Sequence, residues 1–149
     1  MRVAVGSDHA GFPLKAALVC FLGQQNVDLK DFGAYSPDSV DYPDIGSQVA
    51  EAVANGEFDR GILICGTGIG MSITANKVPG IRAALCKDMY CALMAREHND
   101  ANILCLGSRT TEEKTAFDIT RTFLATDFSG EERHAKRIRK ITEIERKGG

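Results

Sequence analysis

Five short apolar runs, separated by stretches of a different rhythm, leave this chain few folds to choose from. The runs are RVAV (2–5), VDLKDF (27–32), GILIC (61–65), IRAALC (81–86) and NILCLG (102–107), and between them apolar residues recur with the 3.6-residue period of helices. A strand that returns through a helix pairs in parallel with its predecessor, because the crossover carries the chain back to the starting edge. Parallel strands made this way are covered on both faces. The alternation predicts an α/β fold, a Rossmann-like three-layer sandwich around a five-stranded parallel sheet.

Local signals set the helix limits. The first is predicted to open near Pro13 and run through residue 25, and the second covers 45–55 with Gly56 beyond its end. The third covers 70–77 and stops before Pro79-Gly80, the fourth 87–98 and the fifth 111–126. A sixth, over 131–146, carries only a narrow stripe of Ala135, Ile138, Ile141 and Ile144. That stripe cannot cover a sheet, so the helix is either a solvated appendage or packs on a second subunit.

A chain of 149 residues can bury roughly 70% of its unfolded surface without staples. No repeat or low-complexity linker divides it, so residues 1–149 are expected to form a single domain, with 131–149 as the C-terminal helical segment. A net charge of −2 argues against a nucleic-acid partner across the whole domain. The cysteines, at 20, 65, 86, 91 and 105, are odd in number, show no C-x-x-C pair, and sit mostly in apolar runs. Such usage suits reduced thiols in a cytoplasmic protein and offers no zinc or other metal site. The opening MRVAVGSDHAG is interrupted too early for a signal peptide, and no segment approaches the roughly 18 apolar residues of a membrane span, so no membrane partner is expected.

In an open parallel sheet, ligands bind beyond the carboxyl ends of the strands. Three polar clusters fall there: Asp8 and His9 in GSDHAG, Cys65 in ICGTGIG, and Arg109 in GSRT. The glycine loop fails the familiar templates. A Walker A loop counted from Gly66 finds Met71 and Ser72 where Gly and Lys belong, and the dinucleotide spacing G-x-G-x-x-G is absent. Met71 also stands where a cysteine phosphatase places its arginine. What remains is physical. Glycines opening a helix can aim successive amides at one spot, and the positive end of the helix favours a thiolate beside it. Thiolate next to an oxyanion pocket suits acyl transfer or proton abstraction beside a carbonyl; a buried strand-end cysteine is the bland alternative.

His98 and Asn99, in REHNDAN, fall at the opposite, amino edge of the sheet. His98 is therefore either a helix-terminal histidine without catalytic duty or a residue serving a neighbouring subunit. Arg133 and Arg137 are four apart on one helix face, a spacing that suits a phosphate or carboxylate, or simply a solvated charge run.

SDHAGF, DYPD, CGTGIGMSITANK, REHNDANIL, LGSR and RHAKRI together resemble the ribose-5-phosphate isomerase B family, which also contains galactose-6-phosphate isomerase subunits. The resemblance runs from Val3 to about Ile144. It implies a homodimer or dimer of dimers with shared active sites, no cofactor, and a sugar-phosphate substrate. The activity implied is interconversion of D-ribose 5-phosphate and D-ribulose 5-phosphate in the pentose phosphate pathway, with allose 6-phosphate or galactose 6-phosphate as the alternative. By the same resemblance Cys65 is the base that moves a proton through a cis-enediolate, and Gly66, Gly68 and Gly70 lie in the loop whose amides hold the enediolate oxygen. Thr67 assists there, His98 with Asp8 opens the furanose ring, and Tyr42 and Asn99 contact hydroxyls. His9, Arg109, Arg133 and Arg137 hold the phosphate. Some members replace the cysteine by a glutamate further along the loop; here the loop has no carboxylate, which matches the cysteine version. A non-catalytic nucleotide or flavin module remains the reading from another class, and the failed templates weigh against it.

Overall fold

Each apolar run becomes a strand and each periodic stretch a helix in the computed structural model, which describes residues Met1–Gly148. Gly149, the last residue of the predicted domain and C-terminal segment, lies outside the described residues. The order is β1 (Arg2–Ser7), α1 (Phe12–Gln24), β2 (Asp28–Asp31), α2 (Tyr42–Ala54), β3 (Arg60–Cys65), α3 (Ile69–Asn76), β4 (Ala83–Leu85), α4 (Met89–Glu97), β5 (Ile103–Gly107), α5 (Glu113–Ala125) and α6 (Glu132–Gly148). All strand pairs are parallel and the sheet order is β2-β1-β3-β5-β4.

Successive strand residues point to opposite faces, and that period divides the core in two. Val3, Val5, Ile62, Ile64, Leu104 and Leu106 face α1, α4 and α5, where Leu18, Ala92, Ile119 and Phe123 are fully buried. Ala4, Leu63, Cys65, Ile103 and Cys105 face α2 and α3, where Val49, Ala50, Met71 and Ala75 close the other layer. Three layers result, as the alternation predicts.

The differences from the sequence reading have local causes. α2 begins three residues earlier than predicted, at Tyr42, because Pro43 fits a first turn and Asp44 complements the helix dipole. β2 and β4 are shorter than their apolar runs; both are edge strands with one neighbour each. α6 does not join the sheet layers. Only His134 is buried along its described length, Ile141 and Ile144 stay exposed, and Glu145 accepts a hydrogen bond from the Gly80 amide at 3.1 Å. No helix among the described residues is long and apolar enough to cross a membrane.

Candidate active site

The alternation that builds the core also decides where Cys65 points. As the last residue of β3 on the α3 face, Cys65 is only 5% exposed and its sulfur meets the start of α3. The Gly68 amide donates to Sγ at 3.1 Å. Gly68 has φ +78°, and a Cβ there would lie 2.5 Å from Leu85 Cδ1 and 2.9 Å from the Leu106 carbonyl carbon. Only glycine can turn the loop so tightly and bring that amide to the sulfur. The first amides of a helix have no carbonyl within it to bond. Thr67 Oγ1 accepts from the Ile69 amide at 3.2 Å, and the Gly70 and Met71 amides have no partner among the described residues. The positive end of α3 thus presents free donors beside a thiol, an arrangement suited to sulfur and oxygen anions.

The chain reverses its direction of travel across the sheet between β1 and β3, and ligand clefts form at such switch points. Here the loops after β1, β3 and β5 are sewn together by their backbones. Asp8 N–H donates to the Ile64 carbonyl at 3.2 Å, Ser108 N–H to Cys65 and Arg109 N–H to Gly66, both at 2.9 Å. They enclose a cleft of about 400 Å³ lined by Asp8, Tyr42, Cys65, Gly66, Thr67, Gly70 and Arg109. Tyr42 lies so close over the loop that a Cβ on Gly70 would come within 2.5 Å of its Cε1, and a Cβ on Gly66 within 2.9 Å of Arg109 Nη1. Asp8 is buried and accepts from the Gly11 amide at 2.9 Å. Beside it, His9 Nδ1 accepts from the Val40 amide at 3.2 Å, so the neutral ring carries its proton on Nε2.

The remaining predicted residues stand elsewhere in the chain. His98 caps the carboxyl end of α4, at the amino edge of the sheet, while Cys65 ends β3 at the other edge. A six-residue strand separates those edges by about 20 Å. His98 stacks on His134 with ring centroids 4.0 Å apart. Arg133 pairs with Glu131 at 2.8 Å, holding that carboxyl below its usual range, and Arg137 is exposed one turn further on. Asn99 lines a separate cavity beside α6. One chain therefore holds two separate groups of polar side chains: those of the thiol cleft and, apart from it, a histidine–arginine cluster.

His134 was not among the residues expected from the sequence. It is 3% exposed, its Nε2 has no hydrogen-bond partner among the described residues and lies 3.8 Å from a Glu131 carboxylate oxygen, and burial followed by the facing His98 ring lowers its pKa. Its stack with His98 joins positions 36 residues apart, which no local pattern reveals; the only hint was its place inside the basic run ERHAKR. The other buried thiols are poor proton carriers. Burial pushes Cys105 up and Cys86 up to about 12, so both stay protonated.

A thiol and unclaimed amides at the switch point of a parallel sheet, with an arginine across the cleft, define an α/β protein that handles small anionic molecules at its carboxyl edge. Residues 3–141 match the Ribose/Galactose Isomerase family, and the chain belongs to it. It is 47% identical over 146 residues to ribose-5-phosphate isomerase B of Escherichia coli, covering 98% of this chain and 97% of that one. Among solved structures, ribose-5-phosphate isomerase B of Clostridium thermocellum superposes with a TM-score of 0.98 at 55% identity, covering all of both chains. The Trypanosoma brucei type B ribose 5-phosphate isomerase gives a TM-score of 0.93 at 52% identity, covering 96% of this chain and 97% of that one.

Proposed function

We propose that this chain is an aldose–ketose isomerase interconverting D-ribose 5-phosphate and D-ribulose 5-phosphate, with Cys65 as the proton carrier. The observation that carries the reading is the Cys65 sulfur at the cleft wall, 3.1 Å from the Gly68 amide and beside the free amides of α3. The relatives just described are named for the five-carbon reaction, which supports it over allose 6-phosphate or galactose 6-phosphate.

The chemistry follows from the cleft. The Cys65 thiolate takes the C2 proton of the open-chain aldose; the electron pair forms the C1=C2 bond, and the aldehyde oxygen becomes an oxyanion. Amides of the loop Gly66 to Gly70 stabilise that charge where it develops, and Thr67 hydrogen-bonds the neighbouring hydroxyl oxygen. The proton on O2 passes to the O1 oxyanion, the electron pair left on O2 forms the C2 carbonyl, and C1 takes the proton back from the thiol. Tyr42 contacts a sugar hydroxyl, and His9 and Arg109 grip the phosphate.

His98 lies about a strand's length from this cleft, so a second copy supplies the remaining groups. The active unit is a homodimer, or a dimer of dimers, in which His98 of the partner subunit opens the ring with Asp8. Asn99 of the partner subunit binds a hydroxyl, and Arg133 of the partner subunit and Arg137 of the partner subunit complete the phosphate site. Residues 1–149 then act as one isomerase domain, with 131–149 at the interface. Exposed apolar side chains beside the cleft, Ile69, Ile73, Leu85, Met89 and Tyr90, support an interface at this edge.

Assaying five- and six-carbon aldose phosphates side by side tests the substrate. The expected result is a kcat/KM for ribose 5-phosphate at least about tenfold above any six-carbon substrate, the discrimination one extra carbon unit allows. A higher value for a six-carbon phosphate would overturn the pentose assignment.

A further inference from the structure

The apolar stripe of α1 contains a charge. Lys15 lies among Leu14, Leu18 and Leu22, is 1% exposed, and has no part in the reaction described above. A buried ammonium is costly unless its donors are matched. Here they are matched by one segment of chain. Nζ contacts the Asp31 carboxylate at 2.8 Å and also donates to the Ala34 carbonyl, while Asp31 Oδ1 accepts from the Gly33 amide at 2.8 Å. The Phe12 and Tyr35 rings each lie 5.4 Å from Nζ, and Tyr35 hydroxyl donates to the Asp31 carbonyl at 2.9 Å.

Phe12 belongs to α1 itself; the other partners end β2 or start the connection between β2 and α2, and that connection ends at the cleft. Val40 in it donates the hydrogen bond to His9 Nδ1, and two residues later Tyr42 lies over Gly70. The Val40 amide decides which nitrogen of His9 keeps the proton, and so whether Nε2 faces an anion as a donor. We propose that Lys15 is a positioning residue: with Asp31 it clamps the 32–41 connection to α1, so that Val40 fixes the His9 tautomer for phosphate binding. This rests on the isomerase reading given above. The clamp acts on the phosphate grip rather than on the thiol, so its loss should weaken substrate binding more than it slows the proton transfer.

The test is a pair of variants, Lys15→Met and Asp31→Asn, studied as full-length protein. Asp31 is partly exposed, so Asp31→Asn keeps the test open if the buried substitution does not fold. Histidine ¹⁵N NMR near pH 8.5, where imidazoles are neutral, reads the His9 tautomer without any sugar present. The wild type should show the Nε2–H form, and a folded variant should show a mixture of both. Steady-state kinetics should give a KM raised about tenfold with kcat within about twofold of wild type. A folded variant that keeps the pure Nε2–H tautomer and the wild-type KM would overturn the clamp. Failure of the isomerase reading looks different: the wild type itself would not turn over ribose 5-phosphate, whatever its tautomer.

Discussion

Cys65 differs from its sister thiols by position, not by chemistry. Cys105, two residues short of the strand end on the same face, is fully enclosed and pushed up by that burial. Cys65, at the end, meets the Gly68 amide. That contact depends on one backbone conformation, so Gly68→Ala should be expensive. A left-handed alanine costs about 1–2 kcal/mol before its clash with Leu85 is counted, and the displaced amide should lower kcat by about a hundredfold or more. Thermal melts together with initial rates would check this; a variant matching the wild type in both would remove the loop from the mechanism. Much of this was legible beforehand. A cysteine at the end of an apolar run followed by alternating glycines says strand, tight turn, helix. The contact of Gly70 with Tyr42 was not legible, because it joins the first turns of α2 and α3 through space.

Among the elements, α6 and α1 are legible as helices, but what they pack against is not. The strong strands β1, β3 and β5 follow from continuous apolar runs, since a central parallel strand is buried on both faces. α6 has no such compulsion: its described residues bury only His134, and what its charged faces meet was beyond local pattern. On α1 no local pattern marks Lys15 as buried, because its partner Asp31 lies 16 residues away. Two predictions concern α6. Burial and the His98 ring place the folded pKa of His134 below its unfolded value of 6.5. Between the two values the unfolded chain binds more protons, so stability rises with pH through that window and is lost as pH falls through 6.5. Melting temperatures measured from about pH 7.5 down to about pH 5.5 should therefore fall further for the wild type than for His134→Phe; parallel declines would mean that the histidine titrates alike in both states. Arg137→Ala should raise KM about tenfold with little change in kcat if this arginine grips the phosphate equally before and during reaction. An unchanged KM would take it out of the site.

For the molecule as a whole, the proposed mechanism requires two chains per site, since Cys65 ends β3 at one edge of the sheet and His98 caps α4 at the other. Mixing Cys65→Ala and His98→Ala proteins after dissociation should regenerate about a quarter of the wild-type rate, because half of randomly reassorted dimers carry one intact site of two. No recovery would place each site within one chain. Deepest in the account is the proton transfer itself, and Cys65→Ala in deuterated water tests it. Wild-type protein should convert ribose 5-phosphate and wash deuterium into C1 and C2. The variant should still bind the sugar phosphate by calorimetry, yet lose both conversion and deuterium incorporation by about a hundredfold to ten-thousandfold, the usual range for a general base. Conversion and incorporation in Cys65→Ala at near wild-type rates would contradict the account.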